Sequence, residues 1–151
     1  MTAPGDFSSG DVLTAADMND LPAGIVDFAD TTTDVNLSTT EQDVLSVSYT
    51  PTGTRRIVVV FYCAQVDSPS TTLNVIGGLR TATGGGGSLV QGIVAGMSSS
   101  TPSQPLTLMH YTTVSAASTF VFRVDVSTGT ARMNTDSTKP IQMYIMDLGS
   151  V

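Results

Sequence analysis

From residue 24 onward, apolar and polar residues alternate with a period of two, and turn-forming residues interrupt the alternation about every ten residues. Leu45, Val47 and Tyr49, for example, alternate with two serines. Successive side chains of a β-strand point to opposite faces of a sheet, so this pattern predicts strands with one buried and one solvated face. Good helix formers are scarce in this part of the chain, which disfavours any fold built from long helices.

The pattern predicts nine strands and one optional short strand. The nine cover residues 25–28, 35–38, 44–49, 56–66, 73–79, 89–97, 106–114, 119–126 and 141–148, and the optional one covers residues 131–134. Eight or nine strands with this spacing predict an all-β fold, a two-sheet antiparallel β-sandwich of the jelly-roll type.

Two of the predicted strands are apolar on both faces. They are residues 57–64, IVVVFYCA, and residues 141–146, IQMYIM. The outer face of an antiparallel sandwich usually meets water, so we expect something to cover these strands. A second subunit is the simplest cover, which predicts a homo-oligomer, and the N-terminal segment is the alternative.

Residues 7–24 form the one stretch that has a helical pattern. Thr14 and Asp17 have the spacing of a capping box. In this motif the Thr14 hydroxyl accepts a hydrogen bond from a backbone N–H of the first helical turn, and the Asp17 carboxylate accepts one from the backbone N–H of Thr14. The helix is predicted from residue 15 to about residue 21, because Pro22 and Gly24 end it. A helix of this length is not stable alone in water.

The short helix therefore needs a surface to pack against, and we interpret it as a docking segment. This divides the chain into an N-terminal docking arm, residues 1–23, and a β-sandwich domain, residues 24–151. The residues predicted to contact a partner are Val12, Leu13, Thr14, Asp17, Met18 and Leu21.

Charge is distributed unevenly along the chain. The formal net charge is -7, and nine of the thirteen acidic residues precede Arg55, the first basic residue. A phosphate backbone would be repelled by this acidic first third, so nucleic acid is not an expected partner, and an anionic membrane surface is disfavoured for the same reason. An acidic arm can instead be steered onto a basic surface of another protein. Neither a signal-peptide pattern nor an apolar run of roughly 20 residues is present, so we expect no membrane span.

The candidate catalytic and metal-binding residues are not accompanied by the sequence motifs that mark known catalytic or metal sites. Cys63 is the single cysteine, so no internal disulfide can form, and a small buried hydrophobic role is predicted for it. His110 is the single histidine; Ser88 or Ser115 with Asp125 could complete a triad, but no local signature accompanies them. A structural or interface role is therefore expected for His110.

Other polar motifs have plain structural interpretations. The glycine run at residues 84–87 is followed by neither a lysine nor a helix, so it predicts a hairpin tip and not a phosphate-binding loop. Arg123 and Asp125 lie two residues apart on one strand face and are expected to pair loosely. The sequence thus predicts a protein that is not an enzyme and that has no cofactor and no metal site.

Two short motifs resemble those of a known group of proteins. Residues 10–19, GDVLTAADMN, resemble the "GdvLTAadmN" opening common near the N-termini of small virion structural proteins of tailed bacteriophages. Residues 144–149, YIMDLG, are similar to the "V-x-D-[IL]-G" ending that many of those proteins carry. The resemblance implies a β-rich module displayed on the phage particle as an oligomer, with the opening segment nearest its attachment.

Within that group the resemblance implies a capsid decoration or cement protein at the virion surface, assembled in the host cytoplasm. It would form a trimer and bind the major capsid protein or another virion protein. A minor tail or tail-fibre-type protein is the alternative, although 151 residues leave no room for a long fibre shaft. A carbohydrate-binding host-attachment module is a further alternative, because tyrosines on a sandwich face can bind sugars.

Overall fold

The structure is a computed structural model that describes residues 22–68, 72–82, 84, 86–98 and 103–151. The predicted helix and the predicted docking residues fall on residues 1–21 and so lie outside the described residues. Those docking residues are Val12, Leu13, Thr14, Asp17, Met18 and Leu21. No helix in the described ranges is long and apolar enough to cross a membrane.

Ten antiparallel strands make up the regular structure of the described ranges. They are β1 (Gly24–Thr31), β2 (Val35–Leu37), β3 (Gln42–Tyr49), β4 (Arg55–Asp67), β5 (Leu73–Arg80), β6 (Leu89–Met97), β7 (Ser103–Val114), β8 (Ser118–Val126), β9 (Ala131–Asn134) and β10 (Ile141–Ser150). Each of the nine predicted strands corresponds to one of these strands, with bounds that differ by at most three residues.

The strands form two sheets that pack face to face. One sheet contains β1, β10, β4 and β7 in that order, and the other contains β3, β8, β5 and β6. The chain crosses from one sheet to the other after β2, β3, β4, β6, β7 and β8, and the resulting strand order is that of a jelly roll with two Greek keys. The predicted all-β jelly-roll sandwich is therefore confirmed.

β2 and β9 add a small extension to the first sheet, which brings it to six strands. β9 pairs with β2 on one side and with the last residues of β4 on the other. Ala131 and Met133 face the core from β9. The optional strand predicted at residues 131–134 is therefore confirmed as β9, and with it the count is ten strands, one more than the upper end of the predicted eight or nine.

The core is centred on two stacked phenylalanines from opposite sheets. The rings of Phe61 on β4 and Phe122 on β8 lie 3.5 Å apart between centroids and 9° from parallel. Gly77 on β5 makes this arrangement possible, since a Cβ at that position would stand 2.5 Å from Phe122 Cζ. Cys63 is buried nearby in the same core, as predicted, and burial raises the pKa of its thiol.

Hydrogen bonds join the two sheets at both open edges. At one edge the Ser48 N–H of β3 donates to Asp27 Oδ2 of β1 at 2.6 Å. At the other edge Gln104 Nε2 of β7 donates to the Gly96 carbonyl of β6 at 2.7 Å. The sandwich is thus held at its margins as well as through its core.

Candidate interaction surface

The outer face of the six-stranded sheet carries an apolar row that crosses four strands. Strand register places Phe28 of β1 opposite Tyr144 of β10, Tyr144 opposite Val60 of β4, and Val60 opposite Met109 of β7. Residues directly opposite in an antiparallel sheet share a face, so the four side chains lie side by side.

A second apolar row lies two residues along the sheet. It contains Ile25, Met146, Val58 and Tyr111, again one residue from each of β1, β10, β4 and β7. A β-bulge between residues 25 and 27 shifts the register of β1. Ile25 and Phe28 therefore lie on the same face of the sheet although they are three residues apart. We call the two rows together the apolar outer surface: Ile25, Phe28, Val58, Val60, Met109, Tyr111, Tyr144 and Met146.

The flanks of the apolar outer surface are open to solvent. Ile25, Phe28, Met109 and Tyr111 are 48–62% exposed, whereas the central residues on β4 and β10 are buried or half-buried. Contiguous exposed apolar patches on soluble proteins mark sites of interaction, and aromatic residues and methionine are enriched in the centres of protein interfaces. The centre of this surface is the outer face of β4 and β10, the two strands whose sequences are apolar on both faces.

A buried ion pair lies at one end of the same sheet. Arg55 Nε donates to both carboxylate oxygens of Asp147, at 2.9 Å and 3.1 Å. The Tyr49 hydroxyl and the Gly149 N–H also donate to this carboxylate, at 2.6 Å and 2.8 Å. Asp147 and Gly149 both belong to the YIMDLG ending, and Gly149 has a φ of 108°, which favours glycine. The ending therefore forms one local structure around a carboxylate.

Opposing effects act on the pKa of the Asp147 carboxyl. Burial alone would raise this pKa, but the hydrogen bonds from Arg55, Tyr49 and the Gly149 N–H outweigh burial and hold it below its ordinary value. Conversely, burial and the hydrogen bond to Asp147 raise the pKa of Tyr49. The pair is thus arranged to keep Asp147 ionised inside the sandwich.

An ionic network lies on the outer side of the other sheet. Glu41 accepts hydrogen bonds from Arg80 at 2.8 Å and from Arg123 at 2.6 Å, and Arg123 Nε also lies 2.6 Å from Asp43 Oδ1. The expectation that Arg123 pairs with Asp125 was wrong. Asp43 lies directly across from Arg123 on the neighbouring strand, whereas Asp125 is two residues farther along the same strand.

His110 lies on β7 at the gap between the two sheets. Its ring is tilted against Phe120 at 6.4 Å between centroids, and burial lowers its pKa. It lines a cavity of about 390 Å3 together with Thr81, Thr112 and Thr119. Asp125 instead lines a groove on the outer side of the four-stranded sheet, so the structure does not bring the candidate triad together. The described residues contain no group of three or more His, Cys, Asp or Glu that could hold a metal ion.

Comparisons with known proteins bear on the fold. No protein-family model and no curated protein matches the sequence. The chain is similar to the structure of Eiger TNF from S. frugiperda, with a TM-score of 0.53 and 13% identity over 85% of this chain and 95% of that one. At this identity the likeness shows the fold alone, and it agrees with the jelly-roll order of the strands.

Two weaker matches have TM-scores too low to support a shared fold. One is the structure of infectious bursal disease virus Gx strain, with a TM-score of 0.37 and 8% identity over 86% of this chain and 37% of that one. The other is a structure of Bacillus endospore appendages, with a TM-score of 0.31 and 19% identity over 78% of this chain and 94% of that one.

Proposed function

We propose that this protein is a structural protein of a tailed-phage virion, a capsid decoration or cement protein that binds the outer capsid as an oligomer and stabilises it. The observation that carries the proposal is the apolar outer surface, which gives a compact jelly roll a contact area for other subunits. The resemblance of residues 10–19 and 144–149 to phage virion proteins supplies the biological setting.

The apolar outer surface suits contact between copies of the same chain. Its eight residues carry no charge, although the chain as a whole has a net charge of -7. Copies that meet through an uncharged area avoid placing their acidic residues directly against one another. In the proposed assembly three copies pack through this surface, and the resulting trimer bridges neighbouring capsomers.

Attachment to the capsid is assigned to the N-terminal arm, residues 1–23. Its acidic residues favour a basic surface on the major capsid protein or another virion protein. Three arms on one trimer bind the same lattice, so a modest affinity of each arm gives a much larger overall affinity. Binding to the assembled lattice in preference to free capsid subunits then stabilises the particle by mass action.

The attachment step is tested by deleting residues 1–23 and measuring binding to phage particles that lack the protein. We expect the truncated sandwich to remain folded and to lose most of its particle occupancy. A full-length variant with serine at Val12, Leu13, Met18 and Leu21 is the matched test, because it keeps every charge of the arm. Occupancy at the wild-type level by both proteins would contradict attachment through the arm.

A further inference from the structure

The cavity of about 390 Å3 beside His110 lies between the two sheets, away from the apolar outer surface. Near one end of the edge strands β6 and β7, Gln104 Nε2 donates to the Gly96 carbonyl and joins the two sheets. Farther along the same two strands, Val90 of β6 and His110 of β7 both line the cavity. The gap between the sheets is therefore closed at one end of β7 and open at the other.

Polar side chains face the inside of the sandwich at this opening. The inward positions of β7 are Leu106, Leu108, His110, Thr112 and Val114, of which the leucines and the valine are buried and the other two are half-buried. Inward positions of a sandwich normally interdigitate with the facing sheet to form the core. Here an imidazole and a hydroxyl occupy two consecutive inward positions and border a cavity instead.

The polar groups around the cavity are available for hydrogen bonds to a ligand. Within the described ranges, the His110 ring and the hydroxyls of Thr81 and Thr112 have no hydrogen-bond partner in the protein. Burial lowers the pKa of His110, so its ring is neutral at pH 7 and has one donor and one acceptor nitrogen. Each hydroxyl likewise both donates and accepts. The cavity therefore presents donors and acceptors side by side.

The described lining of the cavity carries no formal charge at pH 7. Apart from His110, it consists of threonines, one serine and apolar residues. Arg80, which directly precedes the lining residue Thr81, binds Glu41 and the Gly87 carbonyl on the outer side of the sheet. A charged ligand would lose its hydration here without gaining a counter-ion, which is costly. A neutral ligand is therefore the better fit.

Apolar groups complete the lining. Val90, Ala117 and Phe120 border the same space as the hydroxyls. The volume lies within the range of small-molecule sites, about 300–1,000 Å3, in which apolar walls are combined with a few polar groups that fix orientation. A pyranose sugar has matching chemistry, because its ring C–H groups pack on apolar side chains and each of its hydroxyls donates and accepts.

We propose that this cavity binds a neutral hexose unit of a glycan. The His110 imidazole and the hydroxyls of Thr81 and Thr112 exchange hydrogen bonds with the sugar hydroxyls, while Val90 and Ala117 contact its C–H groups. Ala117 is exposed, so one sugar unit can enter on this side while the rest of the glycan stays in solvent. Neither trimer formation nor attachment by the arm needs this site, which goes beyond the proposed function.

His110 is itself the reporter for the test, because the chain has a single histidine and its imidazole C–H resonance needs no assignment. Wild-type protein labelled with 13C is titrated at neutral pH with the methyl pyranosides of glucose, galactose, mannose and N-acetylglucosamine. Sodium glucuronate, which has the pyranose ring with an added carboxylate, is the charged control. Cyclohexanol, a six-membered ring with one hydroxyl, is the apolar control.

We expect a saturable shift of the His110 resonance with at least one of the four methyl pyranosides, at millimolar affinity. Glucuronate should bind more weakly because the cavity offers no counter-ion, and cyclohexanol should bind more weakly because it leaves polar groups unpaired. The absence of a shift with all four pyranosides would overturn the inference. Equal or tighter binding of glucuronate or cyclohexanol would overturn it as well.

Two variants locate the bound sugar. Thr112→Val keeps the shape of the side chain and removes one hydroxyl, so affinity should fall about three- to tenfold. Thr107→Val makes the same exchange at an exposed position of β7 and should leave affinity unchanged. Ala117→Leu keeps every polar group but fills space at the cavity mouth and should abolish binding. Wild-type affinity in both Thr112→Val and Ala117→Leu would overturn the assignment to this cavity.

The titration uses no virion component, so its outcome and that of the particle-binding experiment are independent. Absence of sugar binding contradicts the hexose site and leaves the proposed function standing. Wild-type protein that fails to decorate phage particles contradicts the proposed function, and the His110 titration still decides whether the cavity binds a sugar.

Discussion

Arg55 and Asp147 form an ion pair inside the sandwich, with 7% and 0% of their side chains exposed. The pair joins β4 to β10 within one sheet, and the Tyr49 hydroxyl brings in β3 from the other. One carboxylate therefore connects three strands at the end of the chain.

Replacing this carboxylate should be costly. Asp147→Asn keeps the shape of the side chain but leaves the guanidinium of Arg55 buried without its counter-ion, and breaking a buried pair typically costs about 3–5 kcal/mol. Urea unfolding of the variant should show a loss of this size. Asp30→Asn, on an exposed position, should stay within about 0.5 kcal/mol of wild type. Equal stability of the two variants would contradict a supporting role for the pair.

The same pair makes stability depend on pH. The folded state holds the pKa of Asp147 below its ordinary value, so the carboxylate adds stability at any pH above its unfolded pKa of about 3.9. This contribution to stability is lost as the pH falls below about 3.9 and through the lower pKa that Asp147 has in the folded protein. The difference in melting temperature between wild type and Asp147→Asn should therefore be largest near pH 7 and shrink below about pH 4. A difference that is constant from pH 7 to pH 2.5 would contradict this assignment.

The stacked phenylalanines require a glycine beneath them. Gly77→Ala would place a methyl group 2.5 Å from Phe122 Cζ, and Phe122 cannot move freely because its ring stacks on Phe61. Overpacking of this kind costs about 1–3 kcal/mol, which thermal unfolding would detect. Gly53→Ala is the control, since a Cβ there meets nothing within 4 Å. If both variants melt at the same temperature, the core is not as tightly packed as the structure indicates.

Self-association should depend on the apolar outer surface. Light scattering after size exclusion is expected to give an oligomer of the wild-type protein at micromolar concentration. Met109→Lys should weaken association by roughly ten- to a hundredfold, because it removes about 1.5–3 kcal/mol of apolar burial from the interface. Gln91→Lys adds the same charge at an exposed position of the four-stranded sheet and should leave the oligomer intact. A monomeric wild-type protein would contradict the use of this surface between copies.

The alternation of apolar and polar residues, together with the spacing of the turns, was enough to predict the jelly roll. Side chains such as Val47 and Val124 alternate with polar neighbours, and this alternation located the predicted strands to within a few residues. The predicted burial of Cys63 followed from its apolar strand alone and was confirmed. By contrast, the docking residues of the arm belong to residues 1–21, outside the described residues, and their role stays a prediction.

Contacts between distant strands could not be predicted from the sequence. Arg55 and Asp147 are 92 residues apart, and only the pairing of β4 with β10 brings them together. The preference of Arg123 for Asp43 over Asp125 likewise depends on the register of β3 and β8. Asp147 is the single acidic residue of a largely apolar final strand, and this was the available signal for its role, since a buried charge needs a partner.

Location on the virion is measured most directly by electron microscopy of intact phage particles labelled with a gold-conjugated Fab against residues 24–151. A capsid decoration protein predicts gold distributed over the surface of the head. Gold confined to the tail, or particles that carry no gold at all, would contradict it.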